Sequence, residues 1–190
     1  MFCGLIQILA WGADMSNFVF AGTSLDGYIA DGEGKLDWLD MIPNPSGDDM
    51  GFGAFMSSID GVVMGRVTFE TVLSFGVEWP YSKPVFVLSR TLGKIPEELI
   101  GRVEIIQGTP EEITTMLTKR GYVNLYIDGG KTIQNFLNDD MIDEMIITRL
   151  PILLGGGIPL FGELPVHQIF SHISTDVYLD ELVCSHYKRV

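Results

Sequence analysis

The segment that most constrains the fold is a short apolar run that ends in two glycines and continues as a helix. It reads Val-Asn-Leu-Tyr-Ile-Asp-Gly-Gly-Lys-Thr over residues 123–132. Ile133, Phe136 and Leu137 follow at the i, i+3 and i+4 spacing of one helix face. The pattern therefore predicts a strand, a tight turn at the glycine pair, and a helix.

This glycine turn has two interpretations. Without a Cβ atom, a glycine lets a ligand approach the backbone, and the start of a helix offers free N–H groups and partial positive charge that suit a phosphate. Alternatively, the turn only packs the helix onto the sheet. The motif is shorter than the six-position dinucleotide fingerprint, so it leaves both interpretations open.

Composition limits the partners that the chain can have. With 190 residues, 46% of them hydrophobic and 19% charged, one globular domain with a sizeable core is expected. The formal net charge of −13 disfavours nucleic acid and anionic membranes as partners. Only 12 Lys and Arg residues are present, so a basic residue beside a glycine turn is a stronger candidate for binding an anionic ligand.

The two cysteines, Cys3 and Cys184, have no paired spacing, and the three histidines form no helical pair. Neither a disulfide framework nor a metal site is therefore expected. A reducing compartment suits this cysteine content, and we expect the protein in the cytoplasm, with a small molecule as its substrate.

The first residues differ from the rest of the chain. Residues 5–13 form an apolar stretch that is too short to span a bilayer and lacks the basic start of a secretory signal. We interpret residues 1–14 as an upstream extension and residues 15–190 as a single domain. The alternative is that the extension is an added strand or an association patch.

Two more strand-to-helix junctions repeat the pattern of the first. Residues 61–64 are apolar and lead into Gly65 and Arg66, and residues 84–88 lead into Ser89 and Arg90. An arginine just after a strand can stack on an adenine or bind a phosphate with two hydrogen bonds. Three such junctions in one chain, two with Arg and one with Lys, favour a nucleotide polyphosphate as the ligand.

Two carboxylates have a possible functional role. Asp26 stands in an Asp-Gly turn that follows an apolar strand, so it is either a turn former or a ligand-side carboxylate at the carboxyl end of that strand. A helix opening at Gly47 or Asp48 would place Asp48 and Asp49 in its first turn, where acidic residues suit the helix dipole.

The order of elements predicts an α/β sheet with antiparallel strands at its edge. Strand and helix patterns alternate, and a helix begins at 109–112, with Thr as cap, Pro first and Glu third. Alternation then replaces helical spacing from residue 169, which predicts a hairpin turned at Asp180 and Glu181.

Five motifs together resemble the dihydrofolate-reductase-like superfamily, in the branch of the reductase domain of the bifunctional riboflavin-biosynthesis deaminase-reductase. They lie at residues 24–30, 63–70, 87–90, 127–130 and 151–157. The resemblance extends from about residue 15 to the C-terminus. It implies a three-layer fold with a mixed, mainly parallel eight-stranded sheet flanked by helices, NADPH as cofactor, and a homodimer.

The resemblance also implies that one set of residues at each junction binds NADPH. The sets are Gly65, Arg66 and Thr68 at the first junction, Ser89 and Arg90 at the second, and Gly129, Gly130, Lys131 and Thr132 at the third. The first would contact the cofactor phosphates. The second would hold the adenosine 2′-phosphate, which favours NADP over NAD. The third would wrap the pyrophosphate.

The two carboxylates gain candidate catalytic roles by the same resemblance. Counting back from Gly65 without a gap, Asp49 reaches the position of the active-site carboxylate of folate reductases, and Asp26 would lie on the substrate side near the nicotinamide. Folate reductases bind the glutamate of folate with an arginine, whereas Lys83 stands in the corresponding segment here, which disfavours folate. The deaminase half and its zinc signature are absent.

The leading hypothesis is hydride transfer from NADPH to a C=N or C=O carbon of a small heterocyclic substrate, as in 5-amino-6-(5-phosphoribosylamino)uracil reductase. Asp49 or Asp26 would supply or relay the proton that the product needs. Two alternatives remain: a dihydrofolate or pterin reductase, and a non-catalytic NADP-binding module in which the carboxylates only cap turns.

Overall fold

The computed structural model describes residues 15–190, so the interpretation of residues 1–14 lies outside the described part of the chain. The helices are α1 (Phe52–Ser58), α2 (Arg66–Ser74), α3 (Pro110–Lys119) and α4 (Gly130–Asn138). The strands are β1 (Ser16–Thr23), β2 (Tyr28–Ala30), β3 (Gly61–Gly65), β4 (Val85–Leu88), β5 (Val103–Ile106), β6 (Asn124–Asp128), β7 (Glu144–Arg149), β8 (Ile158–Pro159), β9 (Phe170–Tyr178) and β10 (Leu182–Arg189).

Eight of the strands form one sheet in the order β5-β4-β3-β6-β1-β7-β10-β9. The six strands from β5 to β7 in this order run parallel, while β10 runs antiparallel to both β7 and β9. β2 and β8 form a separate antiparallel pair. The mixed, mainly parallel eight-stranded sheet that the resemblance implied is confirmed.

Helices cover both faces of the sheet, which gives three layers. Successive strand residues point to opposite faces. Val62 and Met64 accordingly pack in one core cluster with Phe55 of α1 and Phe69 of α2. Val63 packs in the other cluster, which contains the apolar faces of α3 and α4. Consequently α1 and α2 lie on one face of the sheet, and α3 and α4 lie on the other.

Helix α1 begins later than its sequence pattern predicts. A start at Gly47 or Asp48 was expected, but the helix runs from Phe52 to Ser58. Met50 and Gly51 have φ angles of 53° and 84°, which belong to the left-handed region and cannot continue a right-handed helix. Asp49 therefore precedes the helix instead of standing in its first turn.

The C-terminal hairpin is confirmed, but its turn lies one residue earlier than predicted. Leu179 and Asp180 both have positive φ, at 51° and 59°, and the N–H of Glu181 donates to the carbonyl of Tyr178 at 3.1 Å. A type I′ turn needs positive φ at both of its central residues. Leucine is not a usual residue for that conformation, so the sequence pattern did not indicate it.

Within residues 15–190, no helix has the length and apolar character that crossing a bilayer would require. The same residues contain no cluster of His, Cys, Asp and Glu side chains suited to a metal ion.

Candidate functional site

The three strand-to-helix junctions meet at the carboxyl edge of the sheet. β3 lies between β4 and β6, with Gly65 beside Leu88 and Met64 beside Asp128. Because neighbouring strands are about 4.8 Å apart, the ends of β4 and β6 are separated by about 10 Å. All three sets of residues assigned to NADPH from the resemblance thus begin at one edge, on adjacent strands.

The two glycine turns interlock through threonines. Thr68, the third residue of α2, occupies the space where a Cβ on Gly129 would lie, so any side chain at Gly129 would collide with its hydroxyl. Thr132, the third residue of α4, lies 3.0 Å from the corresponding Cβ position on Gly65. Gly129 also has a φ of 87°. Close packing of two helix starts therefore explains both glycines.

These two helix starts are also free of side-chain caps. In α3, by contrast, Thr109 and Glu112 form a complete capping box. No side chain caps α2 or α4. Thr132 is 5% exposed, and its hydroxyl makes no hydrogen bond to any described residue. Backbone N–H groups of two helices and the hydroxyl of Thr132 are thus left without protein partners at one place, which suits a phosphate.

Gly130 lies beneath the small β2–β8 sheet. A Cβ on this residue would lie 2.7 Å from Cδ1 of Ile29 and 3.5 Å from the carbonyl oxygen of Pro159. Gln134, one turn further along α4, donates to that same carbonyl at 2.9 Å. The β2–β8 sheet therefore holds the first turn of α4 in place, and a larger residue at position 130 would have to displace the end of the Ile29 side chain.

The basic residues at this edge differ in whether a carboxylate of the protein already binds them. Arg66 donates to both carboxylate oxygens of Glu70, at 2.9 and 2.7 Å, one helical turn away. Arg90 and Lys131 are exposed and have no ion-pair partner among the described residues. Arg90 and Lys131 are consequently ready for an anionic ligand, whereas Arg66 has to share its charge with Glu70.

Ser89 shapes the turn that follows β4. Its Oγ accepts hydrogen bonds from the N–H groups of Thr91 and Leu92, at 3.1 and 2.8 Å. The hydroxyl hydrogen is left to donate to another acceptor. Ser89 can therefore hold its own turn and contact a phosphate oxygen at the same time.

Asp26 joins two loops that are distant in sequence. Its carboxylate accepts from the Ser24 hydroxyl at 2.6 Å and from the N–H groups of Leu154 and Gly155, at 3.1 and 2.8 Å. The Ser24 hydrogen bond is the largest influence and lowers the pKa of the Asp26 carboxyl; burial opposes it, and the two backbone N–H groups add to the lowering. The geometry thus favours a role in positioning loop 154–155 over proton donation.

Asp49 lies at the same edge of the sheet, next to β1. Its two carboxylate oxygens accept from the N–H groups of Gly51 and Gly53, each at 2.9 Å. Phe52, in the first turn of α1, packs edge-on against Phe20 of β1 at 5.5 Å between ring centroids. Asp49 is exposed and stands beside half-buried aromatic rings, as a carboxylate facing a flat heterocycle would.

Sequence reasoning assigned no role to Asp128, a half-buried polar residue at the centre of this edge. The Tyr81 hydroxyl donates to Oδ2 of Asp128 at 2.6 Å, and the Tyr126 hydroxyl donates to the carbonyl of Phe20 at 2.9 Å and also interacts with Asp128. Burial raises the pKa of the Asp128 carboxyl, although these hydroxyls and the N–H of Gly129 act against it. The only sequence signal was an acidic residue at the end of an apolar strand.

An open depression of about 260 Å³ lies at the opposite, amino edge of the sheet, beside β4 and β5. Arg120 lines it but already donates to both oxygens of Glu104, at 3.0 and 2.6 Å, and stacks over the ring of Phe86. Its charge is thus matched within the protein. The carboxyl edge, with its unpaired donors, is the better ligand site.

The chain was compared with known protein families and solved structures. The model of the RibD C-terminal domain matches residues 18–183. A Shewanella sp. PV-4 protein, provisionally named for riboflavin biosynthesis, is 55% identical, with a TM-score of 0.89 over 93% of this chain and 99% of that one.

More distant structures match the fold. The Thermotoga maritima deaminase/5-amino-6-(5-phosphoribosylamino)uracil reductase is 16% identical, with a TM-score of 0.72 over 93% of this chain and 57% of its own. The Enterococcus faecalis dihydrofolate reductase is 17% identical, with a TM-score of 0.62 over 92% and 96% of the two chains. The fold is thus dihydrofolate-reductase-like, and the chain belongs to the RibD C-terminal domain family.

Proposed function

We propose that this protein is an NADPH-dependent reductase that transfers a hydride to a C=N or C=O carbon of a small heterocyclic substrate. The observation that carries the proposal is the pair of interlocked, uncapped helix starts at the carboxyl ends of the neighbouring strands β3 and β6. Membership of the RibD C-terminal domain family supports the reaction class. The substrate that fits this family is a phosphoribosylamino-pyrimidine such as 5-amino-6-(5-phosphoribosylamino)uracil.

The residues present fit the cofactor. The N–H groups at the starts of α2 and α4, with the hydroxyls of Thr68 and Thr132, would hold the pyrophosphate. Lys131 adds a free cation beside them. Arg90 and the donating hydroxyl of Ser89 would bind the 2′-phosphate, because a guanidinium forms paired hydrogen bonds with phosphate oxygens. When bound, NADPH supplies the hydride.

The two carboxylates take different parts in this proposal. Asp49 is the residue that relays a proton to the product, since each of its oxygens accepts only one N–H and retains a free lone pair. Asp26 is a positioning residue, since its pKa is lowered and its oxygens are held by three donors. Asp49→Asn should lower kcat with little change in KM for NADPH.

The test measures NADPH binding and oxidation by the purified full chain. We expect binding of NADPH to exceed that of NADH, and the difference to disappear in Arg90→Ala, since that residue is assigned to the 2′-phosphate. Arg120→Ala, a change at the opposite edge, is the matched control. Failure to bind NADPH would overturn the proposal.

A second candidate is a non-catalytic NADP-binding module, which one observation favours. Both candidate carboxylates accept hydrogen bonds from backbone N–H groups, as carboxylates that only cap turns would do. In that case NADPH binds but is not oxidised with the phosphoribosylamino-pyrimidine, with pterins or with aldehydes. A single-turnover experiment that follows the loss of the reduced-nicotinamide absorbance separates the two functions.

A further inference from the structure

Asp128 is a carboxylate that lies beside the two helix starts to which we assign the phosphates of NADPH. It is the last residue of β6 and immediately precedes Gly129, where α4 starts. Across the β3–β6 pair it lies beside Met64, which immediately precedes Gly65, where α2 starts. Asp128 is thus one residue away from both uncapped helix starts, at the point where negative charge on a ligand would concentrate.

The groups around Asp128 supply hydrogen bonds but no positive charge. The titratable groups that face it are the hydroxyls of Tyr81, from the loop before β4, and Tyr126, from β6. β3 contributes the uncharged Met64. No cation of the described residues contacts the carboxylate.

Tyr81 is itself held firmly in place. Arg102 donates to its backbone carbonyl at 3.1 Å, and its ring packs against Trp79 at 5.2 Å between centroids. Tyr81 is 6% exposed and Tyr126 is 5% exposed, so neither hydroxyl is free to turn away into solvent. These two hydroxyls hold the Asp128 carboxylate where a like charge on the ligand would arrive, which favours proton uptake over rotation of the side chain.

We propose that Asp128 takes up a proton from solvent when an anionic dinucleotide binds, and that it thereby makes the affinity of the site depend on pH. This inference rests on the proposed function, since it requires NADPH at the carboxyl edge. The carboxylate and the phosphates repel one another, so the protonated form of Asp128 binds the ligand more tightly than the charged form. Burial already favours protonation, in agreement with this direction.

The sign of the effect follows from linkage. Affinity is highest below the pKa of Asp128 in the free protein, falls as the pH rises from that pKa to the higher pKa of the complex, and is constant above both. Each pKa unit by which the ligand raises the pKa of Asp128 corresponds to about a tenfold loss of affinity across that interval.

The experiment is calorimetric titration of the full chain with NADPH at several pH values, each in two buffers of different ionisation enthalpy. The difference between buffers gives the protons taken up per ligand bound. The wild-type protein and Asp128→Asn are compared, because the 2′-phosphate of NADPH titrates near pH 6 and contributes equally to both. We expect Asp128→Asn to lose the excess proton uptake and to bind NADPH more tightly at high pH.

Two further variants complete the test. Tyr81→Phe removes a donor that favours the charged carboxylate, so the fall in affinity should move to higher pH. Asp60→Asn changes a carboxylate that accepts from the N–H groups of Val123 and Asn124, at 3.0 and 2.8 Å, at the start of β6. It should leave the proton uptake at the wild-type level.

The outcomes separate this inference from the proposed function. If the wild-type protein binds NADPH and its proton uptake equals that of Asp128→Asn, the inference is wrong and the proposed function stands. If the wild-type protein does not bind NADPH, both are wrong. Equal thermal unfolding temperatures for the wild-type protein and Tyr81→Phe would show that this variant is folded.

Discussion

At the residue scale, Gly129 is held by two independent constraints. Its φ of 87° is unfavourable for residues with a side chain, and Thr68 fills the place of a Cβ. Its ψ of 134° places it outside the left-handed helical region, and such sparsely populated backbone costs about 1–3 kcal/mol in a residue other than glycine. The collision with Thr68 adds to that figure, because the residues of a close-packed interior yield little.

We therefore expect Gly129→Ala to destabilise the protein by about 2–6 kcal/mol, as the sum of conformational strain and overpacking. Gly121→Ala is the matched control, since Gly121 has a φ of 90° but no atom within 4 Å of its Cβ position. Gly121→Ala should show the cost of backbone strain without a collision. Chemical denaturation measures the free energy of unfolding of both variants. Equal losses in the two variants would contradict the collision with Thr68.

A second prediction concerns Asp26. Asp26→Ala should speed hydrogen exchange at the N–H groups of Leu154 and Gly155, which donate to its carboxylate. Because the pKa of Asp26 is lowered in the folded protein, the wild-type contacts are present above its unfolded pKa and are lost as the pH falls through its folded pKa.

The protection factors of these two N–H groups, which correct for the intrinsic pH dependence of exchange, should therefore fall at low pH in the wild-type protein but not in Asp26→Ala. Asp31→Ala is the control, since Asp31 accepts from the N–H groups of Glu33 and Lys35 and does not reach loop 154–155. Unchanged exchange at residue 155 in Asp26→Ala would show that the loop is held by other contacts.

Asp26 also shows where sequence reasoning reaches its limit for single residues. The Asp-Gly pair correctly indicated a turn, because that preference is local. The partners of the carboxylate lie 128 and 129 residues further along the chain, and no local pattern indicates them. Tyr81 is similar: it stands in a loop, and its contact with Asp128 exists only because β4 and β6 both flank β3.

At the element scale, the three longer helices start in different ways. The capping box of α3 was predicted from Thr109 and Glu112, and both of its hydrogen bonds are present. The starts of α2 and α4 have no cap of their own. NADPH should therefore slow exchange in the first turns of α2 and α4 while leaving α3 unchanged.

This prediction has an internal control. Thr109→Ala should destabilise the protein by about 0.5–2 kcal/mol, the usual cost of a lost N-cap, with NADPH affinity unaffected. Thr132→Ala should instead weaken NADPH binding with a smaller effect on stability, since its hydroxyl has no partner among the described residues. Protection of all three helices to the same degree would argue against a ligand at the glycine turns.

Elements with strong local patterns were predictable, and those set by backbone strain were not. The capping residues of α3 and the alternation in β9 and β10 depend on neighbours in sequence. The late start of α1 depends on the left-handed conformations of Met50 and Gly51, and the turn at Leu179 and Asp180 depends on another such pair. Methionine and leucine seldom adopt this conformation, so the residue types at positions 50 and 179 do not indicate it.

At the scale of the whole molecule, β9 is an edge strand with apolar residues in contact with solvent. Ile173 and Val177 are 53% and 59% exposed. β9 pairs only with β10 among the described strands, so its outer edge offers a place for a second copy. The homodimer implied by the resemblance stays a prediction, and β9 is the segment on which to test it.

The double variant Ile173→Lys, Val177→Lys should be a monomer where the wild-type protein is a dimer, as measured by sedimentation equilibrium. A matched control is Val77→Lys, which changes an exposed apolar residue, 68% exposed, outside this hairpin. The net charge of −13 repels a second copy, so the wild-type dimer should strengthen with ionic strength. A dimer that persists in the double variant would place the contact elsewhere.

The arrangement of the whole sheet was beyond local sequence patterns. Alternating strands and helices indicated an α/β fold but not which strands are neighbours, because pairing joins segments distant in the chain. The motifs at residues 63–70, 87–90 and 127–130 implied one shared dinucleotide site through their resemblance to a known superfamily, but no strand order. The structure places these motifs on adjacent strands, and the contacts of each residue with NADPH stay predictions.

The interlocked glycine turns connect the two outer layers of the molecule. α2 belongs to one face of the sheet and α4 to the other, and their first turns touch only at the sheet's rim. A dinucleotide bound there would contact both layers and link them. Without the dinucleotide, either layer can unfold by itself. With it bound, both layers should unfold in a single cooperative step.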